Sequence, residues 1–351
     1  MVDEAHGLLR ELLTTYGPCG QEDAVRDVCR RELEPLVDET SVDPAGNLVG
    51  LLRGGDAPAV RLMAHMDELS MIVKRVEPDG TLDVAQLGTM YPGNFGLGPV
   101  SILGDDETLC GVITLGSEHT TKESQRIWET KPDQGDKAMD WDHVYVFTGR
   151  SSEELAAAGV HPGTRVCIHH SKRTLIEFGD YLGCYFMDDR AAVTALLQAA
   201  RRLSRRVSPL AGDVYFVFTA NEEVGGVGGS YASRCLPGDL TIALEVGPTE
   251  AEYQTTCAGG PIIAYSDAEC VYDKTVADSL MAVAAEREMS PQAAVLGAFE
   301  SDASHSKASA LAPRAGLLCL PTLSTHGYEV IRRDAIGEMA QVLVGFLERW
   351  A

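Results

Sequence analysis

Short acidic and histidine-bearing islands recur along nearly the whole chain, each beside an apolar or β-rich run or at the start of a helical one. They are Ala64-His65-Met66-Asp67-Glu68, Met187-Asp188-Asp189-Arg190, Asn221-Glu222-Glu223, Leu244-Glu245-Val246 and Thr325-His326-Gly327-Tyr328-Glu329. Carboxylates and imidazoles placed where strands end can converge at one edge of a sheet. Two histidines with three carboxylates suit a pair of divalent ions of intermediate hardness, so the outline is that of a dinuclear metallohydrolase.

The 351 residues allow one large α/β domain and a smaller one, and 45% apolar residues are those of an ordinary globular protein. No stretch of 18 apolar residues exists and the first fifteen residues carry charge, which argues against a membrane span and a secretory signal. The nine cysteines are an odd number, stand singly and never form Cys-x-x-Cys. They fit buried free thiols in a reducing compartment better than a disulfide frame, so the expected location is the cytoplasm. A formal charge of −23 without a long basic run disfavours nucleic acid and anionic membranes as partners.

Apolar spacing predicts amphipathic helices over 5–13 and 23–36, separated by the breaker Tyr16-Gly17-Pro18-Cys19-Gly20. Strands follow at 47–52 and 59–64, the second delivering His65. Between residues 72 and 173 the texture changes to short alternating segments with Gly and Pro turns, the pattern of a small β-rich domain. Within it, 117–141 is polar and reads as a loop or a partner-contacting excursion. The α/β rhythm resumes after Asp180: an Ala-rich helix from Asp188 to about 206, strands 212–219, 240–244 and 316–320, and helices near 275–288, 303–311 and 334–350. The expected organisation is one α/β domain, residues 1–71 and 174–351, with a mixed sheet and helices on both faces, into which residues 72–173 are inserted.

Singly, each of these residues has an ordinary explanation: a histidine at a strand end is usually structural, and Asp-Asp or Glu-Glu pairs are usually solvated. Together they meet the needs of a dinuclear hydrolase, which uses a bridging carboxylate, further ligands on each ion and one carboxylate left over to accept a proton. The adjacent pairs Asp188-Asp189 and Glu222-Glu223 can divide those tasks, because neighbouring side chains on extended backbone face apart.

These islands, with Glu300-Ser301-Asp302-Ala303 and His326-Gly327-Tyr328-Glu329-Val330, resemble the tetrahedral aminopeptidase family, also called the glutamyl aminopeptidase or cellulase M-like family. The resemblance extends through the inserted segment. It implies a zinc-peptidase-like catalytic domain with a PDZ-like insertion, two zinc or cobalt ions per subunit, and twelve subunits, built from dimers, that trim short peptides from the N-terminus. Carried over, it makes His65, Asp188, Glu223, Glu245 and His326 the metal ligands, with Asp188 bridging. Glu222 would be the general base, Asp67 the carboxylate that orients His65, and Asp189 would follow Asp188 across an unusual, cis-type peptide.

The chain also departs from that pattern. Glu245 stands where the family commonly has Asp, and Asn221 replaces a frequent Gln. Ser324-Thr325 takes the place of an Arg-Tyr pair before His326, and Gly327 that of a Ser. Because these changes leave the ligand set whole but alter the pocket, an amidohydrolase acting on a small acylated or modified amino acid or dipeptide is the alternative. A glycosidase is weaker, since the carboxylate pairs are better used as ligand and base than as acid and nucleophile. A scaffold without chemistry would have no use for a complete ligand set.

Overall fold

The computed structural model describes residues 2–133 and 135–350, which fall into two units. The first comprises 1–68, 175–325 and 329–351, and the second 69–174 with 326–328.

The first unit is organised by an eleven-stranded mixed sheet. From one edge its strands run Glu39–Val42, Leu48–Leu52, Gly212–Thr219, Ala57–His65, Leu240–Pro248, Arg314–Leu323, Tyr328–Arg332, Tyr181–Tyr185 and Ile176–Phe178. Ile262–Asp267 pairs with Arg314–Leu323 and carries the edge strand Gln292–Leu296. Gly212–Thr219, Ala57–His65, Leu240–Pro248 and Arg314–Leu323 are parallel neighbours. Their side chains are buried on both faces, which is why they read as continuous apolar runs.

Two groups of helices cover the sheet. Met187–Leu203 packs with Val2–Thr14, Asp23–Leu33 and Ala335–Leu347. Its alanines 191, 192, 195, 199 and 200 are fully buried, and their small side chains permit close approach to the strands beneath. Val227–Cys235 and Asp302–Ala308 pack against each other, and Arg61 and Met63 point toward the first of these two.

Parallel strands share a direction, so their last residues arrive at one edge. His65 lies opposite Thr219, and Met63 opposite Ala243, which brings Glu245 to the level of His65 two residues further on. The sheet therefore places the histidine of one strand and the glutamate of the next side by side.

The second unit is a closed barrel of six strands, in the order Ser70–Val76, Leu82–Leu87, Tyr145–Phe147, Thr108–Thr114, Gly98–Leu103 and Arg165–Ile168. Alternation along Thr108–Thr114 sends every second residue inward, where Leu82, Val100, Ile102, Ile113, Val146 and Val166 fill the interior. Closure removes the free edges that a short sheet would otherwise expose. The polar stretch 117–141 holds a short helix at Gln125–Trp128, and among its described residues Ile127 alone is buried. Among the described residues no helix is long and apolar enough to cross a membrane.

Candidate metal centre

At the carboxyl edge of the parallel strands, His65 Nε2 lies 2.9 Å from Asp188 Oδ1, 3.8 Å from Glu245 Oε2 and 4.0 Å from Glu222 Oε2. One ligand-type atom each from His65, Asp188, Asp189 and Glu245 falls within 4.8 Å of the others, and all four residues are buried. Asp188 and Asp189 open the helix Met187–Leu203, joined by a cis peptide and with non-helical backbone, before the regular turns begin. There the positive end of the helix dipole favours carboxylates. The Asp188 N–H donates to Glu329 Oε2 at 3.0 Å, and the His65 N–H to Asp189 Oδ2 at 3.1 Å.

The other oxygen of Asp189, Oδ1, is buried without a hydrogen bond among the described residues. A buried carboxylate oxygen is costly without a donor, and a cation would satisfy it. The donor set of one imidazole and several carboxylates likewise fits a divalent ion.

Crowding shows in the proton affinities. Burial raises the pKa of Asp189, Glu222 and Glu245 well above the carboxylate range, partly offset by His65, and mutual repulsion adds to the rise. Burial works against protonation of His65, but Glu245 first, then Asp188, Asp189 and Glu222, hold its pKa well above the usual imidazole value.

Asp67 lies against both His65 and the Glu222-Glu223 pair. The His65 Nδ1 sits 3.1 Å from the Asp67 backbone carbonyl and 3.7 Å from its carboxylate. The carboxylate also accepts the N–H groups of Glu222 and Glu223, both at 3.0 Å, and the Cys19 thiol at 3.3 Å. The Glu222-Glu223 pair is thereby set beside His65. His326 stands in the turn between Arg314–Leu323 and Tyr328–Arg332 and groups with the barrel unit, where its Nδ1 donates to the Thr89 carbonyl at 2.6 Å.

Comparison with known proteins identifies the lineage. A family model described as M42 glutamyl aminopeptidase matches residues 46–342. The chain belongs to that family. Its members are hydrolytic peptidases that depend on metal, and the cluster of His65 with Asp188, Asp189 and Glu245 gives this M42 chain a place for one. Over 242 residues it is 28% identical to the lysyl aminopeptidase of Pyrococcus furiosus, a match covering 68% of this chain and just under two thirds, 65%, of that protein. An aminopeptidase from the archaeon Desulfurococcus kamchatkensis has the same fold, with a TM-score of 0.87 at 24% identity over 99% of this chain and 95% of the other. So has the TET1 peptidase of Pyrococcus horikoshii, with a TM-score of 0.84 at 21% identity over 98% and 99% of the two chains.

Further residues of the quoted motifs contribute to the centre of this M42 chain without having been given a role from the sequence. Asp302 is buried beneath it and accepts the Thr219 hydroxyl at 2.5 Å, tying the strand end opposite His65 to the helix Asp302–Ala308. Glu68 and Arg190 form a fully buried ion pair at 2.8 Å, and Arg190 also donates to the Met66 carbonyl. That pair joins the segment after His65 to the segment after Asp188. Only the adjacency of Glu68 to Asp67 and of Arg190 to Asp189 in the motifs could have pointed to it.

Proposed function

We propose that the chain is a dinuclear metal-dependent aminopeptidase that removes N-terminal residues from short peptides. The observation that carries this reading is the convergence of His65 Nε2 on Asp188, Glu245 and Glu222 at the carboxyl edge of the sheet. His65, Asp188, Glu223, Glu245 and His326 would hold two divalent ions, zinc or cobalt, in the catalytic domain formed by 1–71 and 174–351. Bound there, the ions would polarise the scissile carbonyl and acidify an attacking water, bringing its pKa down toward neutrality. Glu222 takes the proton from that water and passes it to the leaving amine, because its buried carboxylate has a raised proton affinity and accepts no hydrogen bond from the described residues. Asp67 keeps Glu222 aimed by holding its backbone N–H. The surrounding carboxylates favour a substrate ammonium, which requires a free amino terminus.

The test is Glu222→Gln, nearly isosteric and unable to accept a proton. The expected result is about two ions retained per chain with kcat lowered on the order of 100- to 10,000-fold. A variant that kept most of its kcat would overturn the assignment of the base.

The TET1 peptidase of Pyrococcus horikoshii is described as assembling into a tetrahedron or a large octahedral shell. We extend this to a homo-oligomer here, a dodecamer built from dimers, in which the inserted domain 72–173, PDZ-like by the same resemblance, supplies contacts. Light scattering at moderate ionic strength measures it, and a mass of one or two chains would refute it. All nine cysteines are free thiols, in keeping with a cytoplasmic setting. The replacement of an Arg-Tyr pair by Ser324-Thr325 beside His326 favours one second reading, an amidohydrolase of small acylated or modified amino acids or dipeptides. A panel of aminoacyl amides, peptides and acyl-amino acids separates the two.

A further inference from the structure

Glu222 sits on a connection between the strand Gly212–Thr219 and the helix Val227–Cys235, and connections at the rim of a site are ordinarily among the more mobile parts of a fold. This one is held by four consecutive backbone N–H groups. Ala220 donates to Asn47 Oδ1 at 3.0 Å, Asn221 to Glu22 Oε1 at 3.2 Å, Glu222 to Asp67 Oδ1 at 3.0 Å and Glu223 to Asp67 Oδ2 at 3.0 Å. The carbonyls are taken as well. Ala220 receives the Gly228 N–H at 3.0 Å, Asn221 that of Val227 at 3.2 Å, and Glu222 those of Gly225 and Gly226 at 2.9 and 2.8 Å.

The three acceptor side chains come from segments far apart in sequence. Glu22 immediately precedes the helix Asp23–Leu33, Asn47 closes the turn before the strand Leu48–Leu52, and Asp67 follows the strand that ends in His65. All three are buried, at 3%, 0% and 0% exposure. Each is itself anchored: Glu22 accepts the Gly20 N–H at 2.7 Å, Asn47 donates to Asp43 Oδ2 at 2.8 Å and to the Gly228 carbonyl at 2.9 Å, and Asp67 receives the Cys19 thiol. The approach is so close that a Cβ on Gly228 would lie 2.4 Å from both the Ala220 carbonyl oxygen and Asn47 Oδ1. Asn221 adopts a left-handed φ of 56°, a conformation that asparagine accepts more readily than most residues.

We propose that Glu22 and Asn47 are positioning residues for the reaction: with Asp67 they form a clamp on residues 220–223 that fixes where the Glu222 carboxylate stands. The proposal rests on the reading of Glu222 as general base. Positioning within a fraction of an ångström is worth about one to two orders of magnitude in rate, and a backbone whose N–H groups at 220–223 and carbonyls at 220–222 are all engaged is the means of obtaining it.

The test compares Glu22→Met, which keeps the buried volume but removes the acceptor, with Glu22→Gln, which keeps an acceptor oxygen. Both are made in the wild-type and in the Glu222→Gln chains, and all are loaded with zinc. Glu22→Met should lower kcat about 10- to 100-fold with KM within about twofold and metal content unchanged, whereas Glu22→Gln should stay within about threefold of wild type. In the Glu222→Gln chain, Glu22→Met should cause no further loss, because the group it positions is gone. Should Glu22→Met fail to fold, Glu22→Asp, whose arm is one methylene shorter, carries the same expectation. Equal losses in both backgrounds, or Glu22→Met as active as Glu22→Gln, would overturn the clamp and leave the base in place. A fully active Glu222→Gln would instead overturn the base reading and the clamp with it.

Discussion

Replacing Glu68 by leucine isolates the buried ion pair that ties the His65 segment to the Asp188 segment. Glu68 Oε2 and the Arg190 guanidinium are 2.8 Å apart, and both side chains have no exposed surface. Removing the carboxylate leaves a buried cation that still donates to the Met66 carbonyl. At an effective dielectric of about 20, two unit charges about 4 Å apart attract by about 4 kcal/mol. One-sided removal of a buried pair costs about 3–5 kcal/mol, because the survivor keeps its desolvation penalty and loses its counter-charge. Glu68→Leu should therefore lower stability by that amount, read as a fall in the urea midpoint at constant m, with metal and protein concentrations held fixed. The double variant Glu68→Leu/Arg190→Met removes the stranded charge as well and should recover most of the loss. A single variant that costs under about 1 kcal/mol, or a double variant no more stable than the single, would refute the reasoning.

Asp273 caps the helix Lys274–Glu286 by accepting the N–H groups of Thr275 and Val276 at 3.0 and 3.3 Å, and its bond from Arg314 at 2.9 Å holds its carboxyl well below the usual range. A depressed folded-state pKa makes the contribution complete above the unfolded value of about 3.9 and lost as pH falls below it, so Asp273→Ala should cost about 1 kcal/mol at pH 7 and less near pH 2 in paired urea titrations. Thr219→Val deprives buried Asp302 of its hydroxyl donor and should cost about 1–3 kcal/mol, seen as a lowered Tm with secondary structure intact. Zinc or cobalt at about 1,000 times its Kd should stabilise the wild-type chain by about 4 kcal/mol, and Asp188→Ala should abolish most of that shift in urea titrations. An equal shift in both chains would refute Asp188 as a ligand.

Periodicity revealed the strands at 47–52, 59–64, 212–219 and 240–244, because interior strands of a covered sheet leave unmistakable apolar runs. It did not reveal the helix Val227–Cys235. Its Gly-Gly-Ser core is a poor helix former, and what holds it is close packing, with Gly229 so near Asp302 that a Cβ would meet Oδ1 at 2.4 Å. Nor did it reveal Gln292–Leu296, a five-residue edge strand with mixed exposure. At the site, residues that stand together in the sequence were legible as motifs. Glu22 and Asn47 were not: one looks like the residue before a helix and the other like a turn residue, and their partners lie 199 and 173 positions away.

Hydrogen bonds sort the acids of the centre into two classes, and the sorting bears on which of them can do chemistry. Asp67 has both oxygens occupied by backbone N–H groups, Glu22 accepts two N–H groups, and Glu68 faces Arg190. A carboxylate so engaged is fixed in orientation, which suits a scaffold. Glu222 and Glu245 accept no hydrogen bond from the described residues, and Asp189 keeps one oxygen without a donor. Their shared burial drives their proton affinities upward, as expected of groups awaiting a cation or a proton. In this cluster the acids that accept backbone N–H groups or face Arg190 hold the framework, while Glu222, Glu245 and the second oxygen of Asp189 gather near the His65 imidazole without such donors. On this ground Glu222, and not the better-buried Asp67, is the residue whose amide variant should separate metal binding from turnover.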